Sequence, residues 1–284
     1  IRYHRSTPFV LTPADGTAGI QLGLGGITVL TPSVGTPVTH TNAVPLTLSL
    51  AHECQVATNQ TLALTGRISG GTPTDPFVKT GDGTLRLTGT NTFESPFVLS
   101  NGFVNVNNGT AFGNPTNTIT IYRNITTTDS WNQRGAIYFT DTVVTNSRPL
   151  IYGSSVGFIG QIYPKNGTLV LNGKFTFLGG NRIDNQGTLL FRGGFDSRNA
   201  RPWLQTSPGY VMRFEEQPLV FGSQGIDIDN GGTFHVSTVS NSWQSFTLFG
   251  ATFLCGAKGV IPTNAFVSFG GGWVQRGTLD LNGF

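Results

Sequence analysis

The sequence predicts an all-β protein, and more specifically a parallel β-helix, or β-solenoid, with loop insertions. Two observations favour this fold class. First, the 284 residues include 39 Gly, 39 Thr and 21 Asn but only 17 Lys and Arg and 14 Asp and Glu. This composition suits strands and tight turns rather than helices. Second, a short phrase of the form Gly-Thr-Leu-x-Leu recurs along the chain, and internal repeats of this kind are typical of solenoids.

The spacing of the repeated phrase indicates the length of one solenoid turn. Its copies begin at Gly83, Gly167, Gly187, Gly232 and Gly277, and a weaker copy begins at Thr61. The threonines of the last four copies are 20, 45 and 45 residues apart, which fits a unit of about 20 to 23 residues that is sometimes doubled. Each copy directs two apolar side chains inward and one side chain outward. A β-sandwich or jelly roll also has many short strands, but neither requires one phrase at a regular interval.

The repeats also suggest a domain organisation. Residues 1–45 are rich in Thr, Pro and Gly and form the expected N-terminal segment or cap, and residues 46–284 form the expected solenoid. Residues 123–164 and 198–218 lack the phrase, so we expect insertions there. The phrase is complete at 277–283, and we expect further repeats or a neighbouring copy to continue the solenoid after it.

Charge, hydropathy and cysteine content exclude several classes of function. The formal net charge is +3, and the basic residues are spread thinly, with no run that could follow a phosphate backbone. We therefore expect no nucleic-acid partner. No apolar segment is long enough for a transmembrane helix. The cysteines Cys54 and Cys255 are too few for a disulfide framework, so we expect buried free thiols.

Residues 79–120 carry a resemblance to a known family. They contain the order T-G-D-G-T-L-R-L-T-G-T-N-T-F, followed by S-N-G-F-V-N-V. This order is similar to the passenger-associated strand repeat of bacterial autotransporters, whose usual form is G-x-G-T-L-x-L-x-G-x-N-T-Y. The positions that match are Gly81, Gly83, Thr84, Leu85, Leu87, Gly89, Asn91 and Thr92, with Phe93 in place of the usual Tyr. The segment from Glu94 to Phe97 departs from the family, which often has a Gly- and Thr-rich step there.

The resemblance implies a right-handed β-helix that is exported to a bacterial cell surface. Members of this family are commonly adhesins, self-associating proteins or fibre components. On this basis we expect an extracellular structural or adhesive section of a surface protein or filament, without enzymatic activity or a cofactor. Its expected partners are other copies of itself, flanking repeats of a larger protein, or glycans.

The alternative function is a β-helical polysaccharide lyase or glycoside hydrolase, which needs carboxylates close together on an outward face. Asp227 and Asp229 are the best candidates for catalytic residues because they are two residues apart on one predicted strand. Asp184 and His235 could lie on nearby turns. In the simpler interpretation, Asp227 and Asp229 are solvated residues on either side of an inward isoleucine.

The sequence also contains aromatic residues and one His-Glu-Cys run that are candidates for binding or metal sites. Aromatic residues in or near the predicted insertions could stack on sugars or contact a partner, although they could equally cover the core beneath a loop. These residues are Trp131, Tyr138, Trp203, Tyr210 and Trp243, of which the first four are the candidate contacts. His52, Glu53 and Cys54 are adjacent, but neighbours on a strand point to opposite faces and cannot converge on one ligand. We therefore expect no metal site.

Overall fold

The chain forms parallel β-sheets stacked as a β-solenoid of about 10 turns, as the repeats predict. The computed structural model describes residues 1–4, 7–15, 18–30, 36–122, 136–153, 161–164, 167–179, 183–185, 187–197, 200–222, 225–229, 231–270 and 277–283. Within this part of the chain, the only helical element is a short 3-10 helix at Gly109–Phe112. The described residues fall into two compact units, Ile1–Thr140 and Asp141–Phe284.

The first unit is built from fifteen short strands. They are β1 (Arg2–Tyr3), β2 (Val10–Leu11), β3 (Ile20–Leu22), β4 (Ile27–Val29), β5 (Val38–Asn42), β6 (Leu46–Leu48), β7 (His52–Val56), β8 (Gln60–Leu64), β9 (Ile68–Gly70), β10 (Phe77–Thr80), β11 (Thr84–Leu87), β12 (Phe97–Leu99), β13 (Phe103–Val106), β14 (Ile119–Ile121) and β15 (Ala136–Phe139). Within this unit the strands form three parallel sheets, in the orders β1-β4-β7-β10-β12-β14, β2-β5-β8-β11-β13-β15 and β3-β6-β9, so the first two sheets run through more turns than the third.

The second unit contains the remaining eighteen strands. They are β16 (Val143–Asn146), β17 (Leu150–Tyr152), β18 (Gln161–Tyr163), β19 (Thr168–Leu171), β20 (Phe175–Phe177), β21 (Ile183–Asn185), β22 (Thr188–Phe191), β23 (Phe195–Asp196), β24 (Trp203–Thr206), β25 (Val211–Phe214), β26 (Leu219–Gly222), β27 (Ile226–Asp229), β28 (Thr233–Val236), β29 (Ser242–Trp243), β30 (Ser245–Phe249), β31 (Thr252–Cys255), β32 (Phe266–Phe269) and β33 (Thr278–Asp280). Apart from β18, they form parallel sheets in the orders β17-β20-β23-β26-β29, β16-β19-β22-β25-β28-β31-β33 and β21-β24-β27-β30-β32.

The repeated phrase forms the strands that the alternation predicts. In β11, Leu85 and Leu87 are fully buried, whereas Arg86 is exposed. Leu85 lies in register with Leu62 on one side and Val104 on the other, so inward side chains stack in columns. The stacking also explains the spacing of 45 residues between copies of the phrase in the second unit. Strand β25, which lacks the phrase, lies in register between the copies in β22 and β28, so 45 residues make two turns.

Glycine is required at the corners where successive turns approach closely. Gly81 precedes β11 with φ of +72°, in the left-handed region that favours glycine. A Cβ at this position would also lie against the backbone carbonyl of Val56 in the preceding turn. Gly81 therefore has a backbone role that another residue could not take without strain.

The strand positions differ from the domain boundaries expected from sequence. Parallel pairing begins with β1, well before residue 46. The expected insertions also contain regular strands: β15 to β18 lie within 123–164, and β24 and β25 lie within 198–218. Residues 123–135 lie outside the described residues. The described parts of these segments supply turns of the solenoid with different sequences, so the absence of the phrase does not indicate an insertion.

Aromatic rings fill much of the interior of the second unit. Phe195 is fully buried, and the centroid of its ring lies 5.0 to 5.9 Å from those of four other rings. These are the rings of Phe175, Phe191, Phe214 and Phe221. Rings at these separations pack in stacked and edge-to-face arrangements that stabilise a core beyond the burial of their area. The many phenylalanines of the sequence therefore have a packing role in this unit.

Buried asparagines tie three successive turns together in each unit. In the first unit, the Asn91 side chain accepts from the Ile68 amide at 2.8 Å and donates to the Ala111 carbonyl at 2.7 Å. In the second unit, Asn241 accepts from the Leu219 amide at 2.9 Å and donates to the Val260 carbonyl at 2.8 Å. Each side chain pairs backbone groups at corners, where the sheets do not supply partners.

Candidate functional site

The structure brings three of the residues singled out from sequence onto one outward sheet face in the second unit. In β24 and β27, Trp203 lies in register with Asp227, and Gln205 lies in register with Asp229. Ile226 and Ile228 point inward and are buried, whereas the two aspartates are outward and half-buried. This alternation places Asp227 and Asp229 outward, with the inward Ile228 between them.

Both aspartates are held by neighbouring side chains. Asp227 forms a two-point ion pair with Arg201: Nε donates to Oδ2 at 2.8 Å, and Nη2 donates to Oδ1 at 2.6 Å. These hydrogen bonds raise the pKa of the Arg201 guanidinium. Asp229 accepts a hydrogen bond from Gln205 Nε2 at 3.1 Å. The carboxylates are therefore fixed as acceptors, and both oxygens of Asp227 already have a partner.

The same face continues with hydroxyl and aromatic groups. Thr247 of β30 lies in register with Asp227, and Ser268 of β32 lies in register with Thr247. The Ser268 hydroxyl donates to Thr247 Oγ1 at 2.8 Å. Two residues before Ser268, Phe266 points to the same side and is 68% exposed. We define the Trp203 face by Arg201, which precedes β24, together with outward residues of the strands: Trp203, Asp227, Asp229, Thr247, Phe266 and Ser268.

Among the other candidates from sequence, the backbone of Asp184 in β21 lies in register with Gln205 and so takes a position on the same sheet face. Trp131 and the side chain of Asp184 lie outside the described residues. His235 belongs to β28, in a different sheet, and lies in register with Arg213 and Leu254. Tyr210 follows a turn closed by its amide, which donates to the Ser207 carbonyl at 3.1 Å. A catalytic group of Asp227, Asp229 and His235 is therefore not assembled on one face.

Tyr138 lies in the first unit, near a surface cleft that the sequence did not indicate. The Tyr138 ring packs against the ring of Phe103, with centroids 6.0 Å apart. Phe103 lines the cleft with Thr58, Asn59, Gln60, Thr61, Asp82, Gly83 and Thr84. The Asp82 carboxylate accepts from Asn101 Nδ2 at 2.6 Å and from the Thr58 hydroxyl at 3.3 Å. This Asp82 cleft depends on contacts between turns 19 and 24 residues apart, so no local motif marks it.

His52, Glu53 and Cys54 alternate across β7 as the sequence predicts. His52 and Cys54 are buried and Glu53 is exposed. His52 Nε2 accepts from the backbone amides of Ser49 and Leu50 at 3.0 and 3.2 Å, so this side chain caps a corner. Both Cys54 and Cys255 are buried free thiols. Among the residues that the structure describes, no three His, Cys, Asp or Glu side chains are grouped to hold a metal ion.

A small apolar cavity lies among the aromatic residues in the interior of the second unit. Phe214, Phe246 and Phe253 are among the apolar residues that line it. Its volume of about 10 Å³ is close to the minimum for one water molecule. This cavity is therefore too small to hold a ligand.

The first unit buries a lysine, Lys79, which shares Asn101 as a hydrogen-bond partner with Asp82. Lys79 lies in register with Cys54, is fully buried, and donates to the carbonyls of Thr80, Gly81 and Asn101 at 2.7, 2.7 and 3.1 Å. Burial lowers the pKa of Lys79 to about 8, and burial raises the pKa of the Cys54 thiol to about 12. The Lys79 ammonium thus binds backbone carbonyls at a corner of the solenoid, and its ionisation affects the free energy of unfolding.

The low pKa of Lys79 predicts that the protein becomes more stable in mild alkali. The folded-state pKa of about 8 lies below the ordinary value of 10.5, so between these values the unfolded chain binds more protons. The free energy of unfolding therefore rises with pH in this window. Cys54 acts in the opposite direction as pH approaches its ordinary pKa of 9.0, because the unfolded chain then loses a thiol proton that the folded chain keeps. We expect the free energy of unfolding in urea to increase by about 1 kcal/mol between pH 7.5 and 9.

The matched variants are Lys79→Met and Lys174→Met. Lys174 is an exposed lysine paired with Asp196 at 2.8 Å. We expect Lys79→Met to abolish the alkaline increase and Lys174→Met to retain it. An increase of the same size in the Lys79→Met variant would show that another group is responsible.

Comparisons with known proteins do not identify a family for this chain. No protein-family model, no curated protein and no solved structure matches the chain. Among the described residues, no helix has the length and apolar character to cross a membrane.

Proposed function

We propose that the chain is a non-enzymatic structural and adhesive section of an extracellular bacterial surface protein or filament. The observation that carries the proposal is the Trp203 face, where an exposed aromatic ring lies beside a carboxylate that Arg201 already neutralises. A fixed ion pair suits attachment better than proton transfer, which needs a carboxyl group free to exchange its proton. The resemblance of residues 79–120 to autotransporter passenger repeats supports the same function and an exported location.

The proposed mode of action is presentation of outward faces on a rigid solenoid. Parallel strands in register pair their backbone groups with the turns on either side, and the inward columns exclude water. In this proposal, the partners are other copies of the chain or flanking repeats, together with glycans. No cofactor or nucleic acid takes part.

The alternative proposal is a polysaccharide lyase or hydrolase with Asp227 and Asp229 as its carboxylates. One observation favours it: both side chains lie on one face, beside Trp203. The two-point pairing of Asp227 with Arg201 opposes it, because a glycosidase acid or nucleophile must be available to the substrate. The attachment function is therefore the better supported of the two.

A turnover assay separates the two proposals. The purified chain is incubated with polysaccharides, and reducing ends and unsaturated products are measured for the wild type and for Asp227→Asn. We expect no product above the background of a protein-free control in either case. Product formation by the wild type that Asp227→Asn abolishes would overturn the structural proposal in favour of the enzyme.

A further inference from the structure

We propose that the Trp203 face binds an uncharged, β-linked polysaccharide that lies across the strands. This inference deepens the proposed attachment function and rests on it. The rings of such sugars present flat C–H faces edged by hydroxyl groups. An aromatic surface with nearby fixed hydrogen-bonding groups is the chemistry that recognises this shape.

The Trp203 indole provides the first surface for stacking. Its side chain points outward from the first residue of β24, and 38% of the residue is exposed. A large aromatic ring gains free energy when a ligand removes it from water, and a residue in a paired strand loses little freedom when it binds. Trp203 is thus already oriented for a sugar ring.

The ion pair beside the indole provides fixed polar groups. Two-point hydrogen bonding fixes one edge of the Arg201 guanidinium on the two oxygens of the Asp227 carboxylate. Among the described residues Asp227 is the partner of Arg201, and the Arg201 side chain is nearly half exposed. Its remaining N–H donors therefore face solvent, where sugar hydroxyl groups can accept from them.

The rest of the face extends the site across the neighbouring strands. The register Trp203, Asp227, Thr247, Ser268 places one outward residue on each of four adjacent strands. At about 4.8 Å per strand, Trp203 and Ser268 are about 14 Å apart. The exposed ring of Phe266 lies beside Ser268 at that end, so a linear oligosaccharide can contact an aromatic ring at each end and hydroxyl groups between them.

Charge and the separation of the rings indicate which polymer fits. Arg201 and Asp227 neutralise each other, so the fixed pair beside Trp203 carries no net positive charge that would attract an acidic polysaccharide. Polar groups separate the rings of Trp203 and Phe266, so the face lacks the continuous apolar centre that a protein partner would need. An uncharged glycan satisfies both features.

Binding is tested with defined oligosaccharides and calorimetric titration of the whole chain. Cellohexaose and chitohexaose are the uncharged probes, and polygalacturonate is the acidic comparison. We expect measurable binding of at least one uncharged probe and weaker binding of polygalacturonate. Loss of the indole in Trp203→Ala is expected to weaken binding about tenfold or more, and Trp203→Phe is expected to retain part of the affinity. Phe266→Ala is expected to weaken binding by a smaller factor.

The control variant is Leu178→Ala, which shortens an exposed apolar side chain outside the Trp203 face. It should bind as the wild type does, and circular dichroism should show that all variants are folded. The inference is overturned if neither uncharged probe binds, if polygalacturonate binds most tightly, or if Trp203→Ala binds as well as Leu178→Ala. Turnover is read separately: cleavage of a probe whose binding depends on Trp203 would support this site while contradicting the non-enzymatic function.

Discussion

Replacing Phe195 with alanine is expected to lower the free energy of unfolding by about 4 kcal/mol. The side chain is fully buried, and its ring contacts four other phenylalanine rings in the interior of the second unit. Its removal leaves a cavity that the surrounding strands cannot close, because each is fixed by pairing on both sides. Urea denaturation followed by circular dichroism measures the change.

Phe266→Ala is the matched control, since it removes the same ring from a position that is 68% exposed. We expect this substitution to change the free energy of unfolding by less than about 0.5 kcal/mol. Equal losses in the two variants would mean that Phe195 does not lie at the centre of the aromatic core.

Asn241→Ala is expected to destabilise the protein by about 3 kcal/mol. The substitution leaves the Leu219 amide and the Val260 carbonyl without the partner that joins them, and it also removes bonds to the Thr238 hydroxyl and carbonyl. Unpaired buried polar groups each lower stability by about 1 to 3 kcal/mol. The shift in the urea midpoint provides the measurement.

Asn264 provides the comparison, because it is an exposed asparagine in the same unit. Its replacement by alanine is expected to be nearly neutral. If Asn241→Ala were equally mild, water would be able to replace the side chain at that corner, and the asparagine bridge would not be a stabilising feature.

The fold could be predicted from sequence because its main determinant is local and repeated. Five residues such as Gly83 to Leu87 specify a corner followed by two inward positions, and recurrence at one turn length specifies parallel stacking. Turns that lack the phrase are not predicted by this pattern. Strand β25 has the sequence Val-Met-Arg-Phe, which keeps the alternation but lacks the Gly-Thr corner. This explains why 198–218 resembled an insertion.

The candidate site was only partly predictable. The outward positions of Asp227 and Asp229 follow from alternation within one strand. Their partners do not, because the pairing of Arg201 with Asp227 spans 26 residues and depends on the register between two turns. The same reason applies to the asparagine bridges and to buried Lys79, whose partners include the carbonyl of Asn101, 22 residues away. Sequence patterns give the face of a residue, but they do not give its neighbour in the next turn.

A crystal structure of the chain grown with cellohexaose tests the central claim, attachment without conversion, most directly. The account predicts intact sugar rings on the indole of Trp203, close to the guanidinium of Arg201, with every glycosidic bond unbroken. Cleaved sugar beside Asp227 would contradict the account, and so would sugar bound in the Asp82 cleft with Trp203 uncovered.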